Sequence, residues 1–291
     1  MSRRFKKLVD TYSKTGLRGI LSLIRNSVGA RTRYLKFRAE IKYAEIQKLI
    51  TLRFRSRLDL QGWFSEHNQK SLGQVIDNLI TDNKISKPLN VLEIGSWKGL
   101  STSIICRHIQ KISGSRLVCI DHWKYNEGAG EDFERLARAK DVFAIFRTNM
   151  EILGFNEIVK PFFGSSSNLD LFQKESFDLI FIDGDHRYSA FSADLKNALR
   201  LVKPGGVICG DDGEMSAVNF DNEFLISNRN RDVATDEFGK SCHPGVVLAL
   251  QENFGNHVNF ENEHADVGVS HNFWWIKAED WTQFQSRKVP A

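Results

Sequence analysis

Two apolar runs of the 291-residue chain end in carboxylates. Phe177–Asp178–Leu179–Ile180–Phe181–Ile182 leads straight into Asp183, Gly184, Asp185 and His186, and Gly206–Val207–Ile208–Cys209 leads into Gly210, Asp211 and Asp212. If both runs are strands of a doubly wound sheet, their tips open on one edge, and Asp183, Asp211 and Asp212 can converge there. Three close carboxylates repel one another unless a cation neutralises them or some keep their protons. Oxygen-only ligands favour a hard divalent ion such as Mg2+, with Mn2+ or Ca2+ as alternatives. An ion on a hydroxyl oxygen lowers that hydroxyl's pKa and fixes its direction, and a nearby base removes the proton. Asp185 and His186 are the nearest candidates for that base, followed by His243. A role at a helix start competes with catalysis for His186, and His243, just before Pro244, reads as structural. Asp178 reads as a surface residue. The bland alternative for the set is that single Asp residues at strand ends cap the helices that follow.

A third run, Val91–Leu92–Glu93–Ile94–Gly95–Ser96–Trp97–Lys98–Gly99, ends in Glu-x-Gly-x-x-x-Gly. Glycines there let backbone come close to a ligand. Trp97 stands where a dinucleotide fingerprint has its middle glycine, which disfavours the tight approach of a pyrophosphate. S-adenosyl-L-methionine (SAM) has no pyrophosphate and carries an α-amino group and a sulfonium, and Glu93 can face that positive charge directly or through water. Gly95, Ser96, Gly99 and Ser101 complete the expected contacts of this turn, with Asp183 across from it. Asp121, which ends the apolar run Cys119–Ile120, can accept both ribose hydroxyls. That reading suits NAD as well as SAM. His122 and Trp123 can wall the adenine or the substrate, and Gly164–Ser165–Ser166 offers small side chains near an adenine. A plain glycine turn between strand and helix is the structural alternative.

The elements that must position these residues alternate. Strands are expected at 89–94, 116–120, 158–163, 177–182 and 206–209, and helices at 71–82, 100–110, 131–153, 168–172 and 189–201. That alternation predicts βαβ units and a parallel sheet with helices on both faces. A helix at 244–254 and closing strands at 258–260 and 273–276 follow. The expected fold is α/β: a Rossmann-like, doubly wound, mostly parallel seven-stranded sheet with a helical N-terminal extension. The expected division is a basic extension at 1–70 and a catalytic domain at 71–291.

Charge is uneven along the chain. Residues 1–60 hold 16 Lys/Arg against 4 Asp/Glu, a net +12, and the remainder holds 24 against 32, a net −8. The arm's helical spacing offers a basic face to anionic lipid, nucleic acid or an acidic partner. It reads equally as a solvated arm packed on the core or on a second copy of the chain; no specific nucleic acid is expected. No apolar run is long enough for a membrane span, and no secretory signal is read. Cys106, Cys119, Cys209 and Cys242 show no CxxC spacing, which predicts buried reduced thiols in a cytoplasmic protein, peripheral at a membrane if the arm binds lipid.

The combination of motifs resembles the metal-dependent class I O-methyltransferases over about residues 89–276. It is closer to the macrocin and aminocoumarin sugar type than to the catechol type. The shared features are Leu92–Glu93–Ile94–Gly95 with Gly99, Ile120–Asp121, Phe181–Ile182–Asp183–Gly184–Asp185–His186, and Pro204–Gly205–Gly206 followed by Gly210–Asp211–Asp212. The resemblance implies Mg2+ on Asp183, Asp211 and Asp212, Asp185 as general base, and SAM on Glu93, Gly95 and Asp121. The acceptor it implies is a sugar or glycosylated metabolite. Catechol-type relatives carry Asn where this chain has Asp212. An NAD-linked oxidoreductase, a non-catalytic binding protein that keeps the fold, and a metal-independent methyltransferase acting on nitrogen are the rival readings.

Overall fold

The computed structural model describes residues 58–60, 62, 64–82, 87–124, 141–213, 219–261 and 273–281. The chain enters through helix α1 (Glu66–Asp82) and then alternates: β1 (Asn90–Ile94), α2 (Leu100–Ile109), β2 (Arg116–Asp121), α3 (Val142–Ile152), β3 (Val159–Phe163), a 3-10 segment (Ser166–Leu171), β4 (Phe177–Ile182), α4 (Tyr188–Leu201) and β5 (Val202–Gly210). A short helix α5 (Asn222–Asn228), a small hairpin of β6 (Ala234–Thr235) and β7 (Ser241–Cys242), helix α6 (Pro244–Phe254), β8 (Asn259–Glu261) and β9 (Phe273–Lys277) complete it.

Seven strands form one sheet in the order β3-β2-β1-β4-β5-β9-β8. β1 to β5 are parallel. β9 runs antiparallel to β5, and β8 antiparallel to β9. This is the Rossmann-like sheet the alternation predicts. Strands buried on both faces read as continuous apolar runs, and β1 and β4 do so. Val91 and Leu179 pack with Leu72, Ile76, Ile105, Ile109 and Phe146 on one face. Leu92, Ile94, Ile180 and Ile182 pack with Phe191, Leu195, Val246 and Phe254 on the other. The strand order reverses between β1 and β4, which puts the topological switch point, and its crevice, at their carboxyl ends.

Several details depart from the sequence reading. The division at residue 70 falls inside α1, and Phe64 is already buried in the core beneath it. β5 starts at Val202 rather than at 206, because Lys203–Gly206 stays extended across a register shift against β4. The helix expected from 131 is described from Val142, with Asp141 as its N-cap accepting from the Ala144 amide at 2.9 Å. Its earlier part, and all of the basic arm before residue 58, lie outside the described residues. α5 and the β6–β7 hairpin were not expected. All four cysteines are buried and free. Among the described residues no helix is long and apolar enough to cross a membrane.

Candidate active site

The glycine turn is built against the end of β4. Gly95 has φ +86°, and a Cβ there would lie 2.0 Å from the Asp183 carbonyl oxygen. Only glycine fits that backbone contact. The Gly95 amide donates to Ile120 O at 2.9 Å. Trp97 follows in the left-handed region at φ 44°, a conformation that costs a side-chain-bearing residue about 1–3 kcal/mol and persists only where its surroundings impose it. Asp121 does so, because its Oδ2 accepts from the amides of Ser96 at 2.9 Å and Trp97 at 2.8 Å. Its Oδ1 accepts from the Trp123 amide at 2.5 Å. Glu93 is fully buried, and its carboxylate accepts from the hydroxyls of Ser96 (2.8 Å), Ser101 (2.6 Å) and Thr102 (2.5 Å) and from the Cys119 thiol (3.3 Å). Trp123 donates through Nε1 to Trp97 O at 2.9 Å. Its ring packs on Phe143, Phe146 and Phe163 at 4.7, 5.1 and 5.1 Å between centroids, and Phe163 remains 53% exposed.

Across the turn, at the tips of β4 and β5, carboxylates and imidazoles gather around His186. Its Nδ1 donates to Asp232 Oδ1 at 2.9 Å, a carboxylate being able only to accept. Its Nε2 lies 3.0 Å from Asp212 Oδ2 and 3.9 Å from Asp183 Oδ1. Asp212 sits in the left-handed region at φ 61°. His243, buried at the start of α6, brings Nδ1 to 3.6 Å from Asp212 Oδ1, and its ring edge meets His186 at 4.5 Å between centroids. α6 closes on this centre through Gly245, where a Cβ would meet the Tyr188 amide nitrogen at 2.3 Å and the His186 carbonyl oxygen at 2.4 Å. Asp211 turns elsewhere, its Oδ1 accepting from Asn68 Nδ2 of α1 at 2.5 Å and from the Asp212 amide at 2.9 Å.

Residues 92–213, from the glycine turn through the second acidic tip, match the family model described as a methyltransferase domain. Over those residues the chain is similar to a methyltransferase domain. The uncharacterized protein R132 of Acanthamoeba polyphaga mimivirus is 28% identical over 188 residues, 60% of this chain and 77% of R132. The uncharacterized protein y4gI of Sinorhizobium fredii is 24% identical over 135 residues, 46% of this chain, and the match spans only 14% of y4gI. The crystal structure of cofactor-bound Rv0187 from MTB superposes with a TM-score of 0.50 at 17% identity, covering 83% of this chain and 89% of that one. That likeness speaks for the fold.

Within residues 92–213, several expected site residues are hydrogen-bonded to other residues of the chain. Glu93 grips hydroxyls on all sides, so it holds Ser96 and Ser101 in place rather than turning to a ligand's positive charge. Burial raises its pKa above the ordinary range, against the pull of those hydroxyls. Asp121 accepts from three backbone amides, which leaves about one of the four lone-pair directions a carboxylate offers. His122 Nδ1 accepts from the Lys124 amide at 3.0 Å. Ser165 opens the 3-10 segment, with its amide on Asn168 Oδ1 at 3.2 Å and its hydroxyl on Ser167 Oγ at 2.7 Å. Gly95 and Asp183 do meet, backbone to backbone.

Asp185 and Asp211, expected as base and as ion ligand, are engaged elsewhere in the structure. Both oxygens of Asp185 are held by Arg187, through Nε at 2.9 and 3.1 Å and through a guanidinium NH2 contact. Burial pushes the Asp185 pKa up, but the Arg187 hydrogen bonds and charge outweigh it and leave the pKa below the usual range, the wrong direction for a general base. Asp211 belongs to neither group of donor atoms that lie within 4.8 Å of one another. Those groups are Asp183–His186–Asp212 and His186–Asp232–His243. Burial, and then Asp212, raise the pKa of Asp183, while burial with Asp212 and Asp183 lifts Asp211 well above its ordinary value. Burial lowers His186, but the Asp212 charge and its hydrogen-bond partners prevail and lift it well above an ordinary histidine. An excess of carboxylate around one imidazole fits a divalent cation, although the donors that converge include a nitrogen. Asn68, Asp232 and the aromatic partners of Trp123 were missed. Phe143 and Phe163 stood in the sequence inside expected elements as a recognisable signal, whereas Asp232 lies in a polar stretch with none.

Proposed function

We propose that this domain transfers the methyl group of SAM to a hydroxyl of a small polyhydroxylated or glycosylated acceptor, assisted by a divalent cation. One observation carries the reading: the Gly95 turn lies in van der Waals contact with the backbone of Asp183. A donor held by that turn therefore sits beside the carboxylate–imidazole centre, with no element between them. A methyltransferase domain needs a methyl donor, and a turn occupied by Trp97 suits one without a pyrophosphate.

The chain's own residues divide the work. The backbone of Gly95–Gly99, stiffened by Asp121 and Glu93, fixes the donor. The exposed face of Phe163, with Phe143 and Trp123 behind it, offers an apolar wall for a base ring. Asp183, His186 and Asp212 would hold the cation, which when bound lowers the acceptor hydroxyl's pKa and orients it. Asp183 is half-buried, and its oxygen not turned to His186 would receive the acceptor's proton. Aligning donor and acceptor in line supplies the rest of the rate.

The test is turnover of a panel of hydroxylated acceptors with SAM, with and without EDTA, alongside titration of S-adenosylhomocysteine. Binding of S-adenosylhomocysteine with EDTA-sensitive methylation of a hydroxyl is expected. Methylation of amine acceptors alone, undiminished by EDTA, refutes the proposal.

A further inference from the structure

The acidic tips led to an all-oxygen set and a hard cation; the donors that converge are different. His186 Nε2 is buried and makes no aligned hydrogen bond, yet it points between two carboxylates, 3.0 Å from Asp212 Oδ2 and 3.9 Å from Asp183 Oδ1. The opposite ring nitrogen is anchored on Asp232 at 2.9 Å. A carboxylate accepting from one imidazole nitrogen fixes the ring, so that an ion displacing the proton on the other nitrogen meets a lone pair already aimed at it, the arrangement by which proteins prepare a histidine as a metal ligand. Here the prepared nitrogen is aimed into the carboxylate pair. Asp211 is the carboxylate turned away, engaged by Asn68 and by the Asp212 amide.

We infer that the cation site of this domain is a nitrogen–oxygen site formed by Asp183, His186 Nε2 and Asp212, with Asp232 orienting the imidazole, and that it selects a transition-metal divalent ion such as Co2+, Ni2+ or Zn2+ over Mg2+. The inference rests on the cation-assisted reading above and changes the donor set and the class of ion. Imidazole suits Zn, Cu, Fe and Ni, whereas Mg2+ keeps carboxylates, carbonyls and waters. Asp232 lies 46 residues from His186 in sequence and has no metal-related role in an all-oxygen site. In this one it determines which nitrogen is available.

The full chain, stripped of metal, is titrated with CoCl2, MnCl2 and MgCl2, and the Mn2+-loaded protein is examined by pulsed electron paramagnetic resonance for 14N coupling. The expected results are Co2+ binding at least about tenfold tighter than Mg2+, and a nitrogen coupling that His186→Gln removes. Asp232→Asn should weaken Co2+ by about 10- to 100-fold, as loss of such an outer partner does, while Asp211→Asn leaves Co2+ affinity unchanged. Absence of nitrogen coupling in the parent protein overturns the inference, as does loss of binding in Asp211→Asn with His186→Gln unaffected, which points to the all-oxygen set. The coupling in the parent decides the matter even if a variant does not fold. S-adenosylhomocysteine is titrated in parallel. If it binds while no divalent ion does, the inference fails and the methyl-donor reading stands; metal binding with nitrogen coupling but no S-adenosylhomocysteine binding leaves the site and removes the donor.

Discussion

Gly95 and Asp185 show how single positions decide the chemistry at the switch point. At Gly95 a methyl group would sit 2.0 Å from the Asp183 carbonyl oxygen, on a backbone already at φ +86°. Neither the strand end nor the turn can yield without moving the other. Gly95→Ala is therefore expected to destabilise the fold by more than the usual 0.5–3 kcal/mol of a point substitution and to abolish S-adenosylhomocysteine binding. A melting curve and a titration check both, and a variant with parental stability and affinity would contradict the contact. Asp185 makes the opposite prediction. Removing a general base costs about 10²–10⁴-fold in rate, but this carboxylate is occupied by Arg187. Asp185→Asn, assayed on an acceptor turned over by the parent, should lose less than about tenfold in kcat, and a loss in the general-base range would restore it as the base.

At the scale of elements, the segment before β1 is part of the site's support. Lys98, in the glycine turn, is buried with a relative exposure of 1% and pairs with Asp59 at 3.1 Å. The Asp59 carbonyl accepts from Asn149 Nδ2 at 2.6 Å, and that amide also donates to Lys98 O at 2.8 Å. This clamp joins the chain upstream of α1 to the turn and to α3. Removing one partner of a buried pair leaves an uncompensated charge and costs about 3–5 kcal/mol. Asp59 is partly exposed, so Asp59→Ala is expected near the lower end, measured by denaturant unfolding, and Lys98→Met in the same background should recover part of it. A loss below about 0.5 kcal/mol, as for an exposed pair, would rule the clamp out. The clamp was hidden in the sequence because residues 58–64 carry no helical or strand period, and the basic arm before them drew the boundary too late. The sheet was legible because parallel strands buried on both faces are continuous apolar runs, and β4 was read to the residue. Convergence of the carboxylates at one edge followed from the same topology. Which of them face inward did not follow, because that turns on a left-handed Asp212 and on Asp232 beyond α5, where short polar elements leave no periodic trace.

For the whole molecule, both proposed ligands bind between elements that the sheet alone holds in register: β1 and β2 on the donor side, β4, β5 and α6 on the cation side. A ligand that binds only the folded state stabilises it by RT ln(1 + [L]/Kd), about 2.7 kcal/mol at a hundredfold excess over Kd. S-adenosylhomocysteine and a divalent ion, each added alone at that excess, should raise the melting temperature, and their contributions to stability should add if the two sites are only neighbours. If holding the donor also orders the carboxylate–imidazole centre through the Gly95–Asp183 contact, the pair should stabilise by more than the sum. That excess is a coupling free energy, and it must appear with the same magnitude as tighter ion binding in the presence of S-adenosylhomocysteine. Substituting His243, which packs against His186 but does not line the glycine turn, should then reduce the ion's contribution and the coupling while leaving the effect of S-adenosylhomocysteine alone unchanged. If His243→Ala instead lowers the S-adenosylhomocysteine shift and spares the ion's, the two sites have been placed on the wrong sides of the switch point.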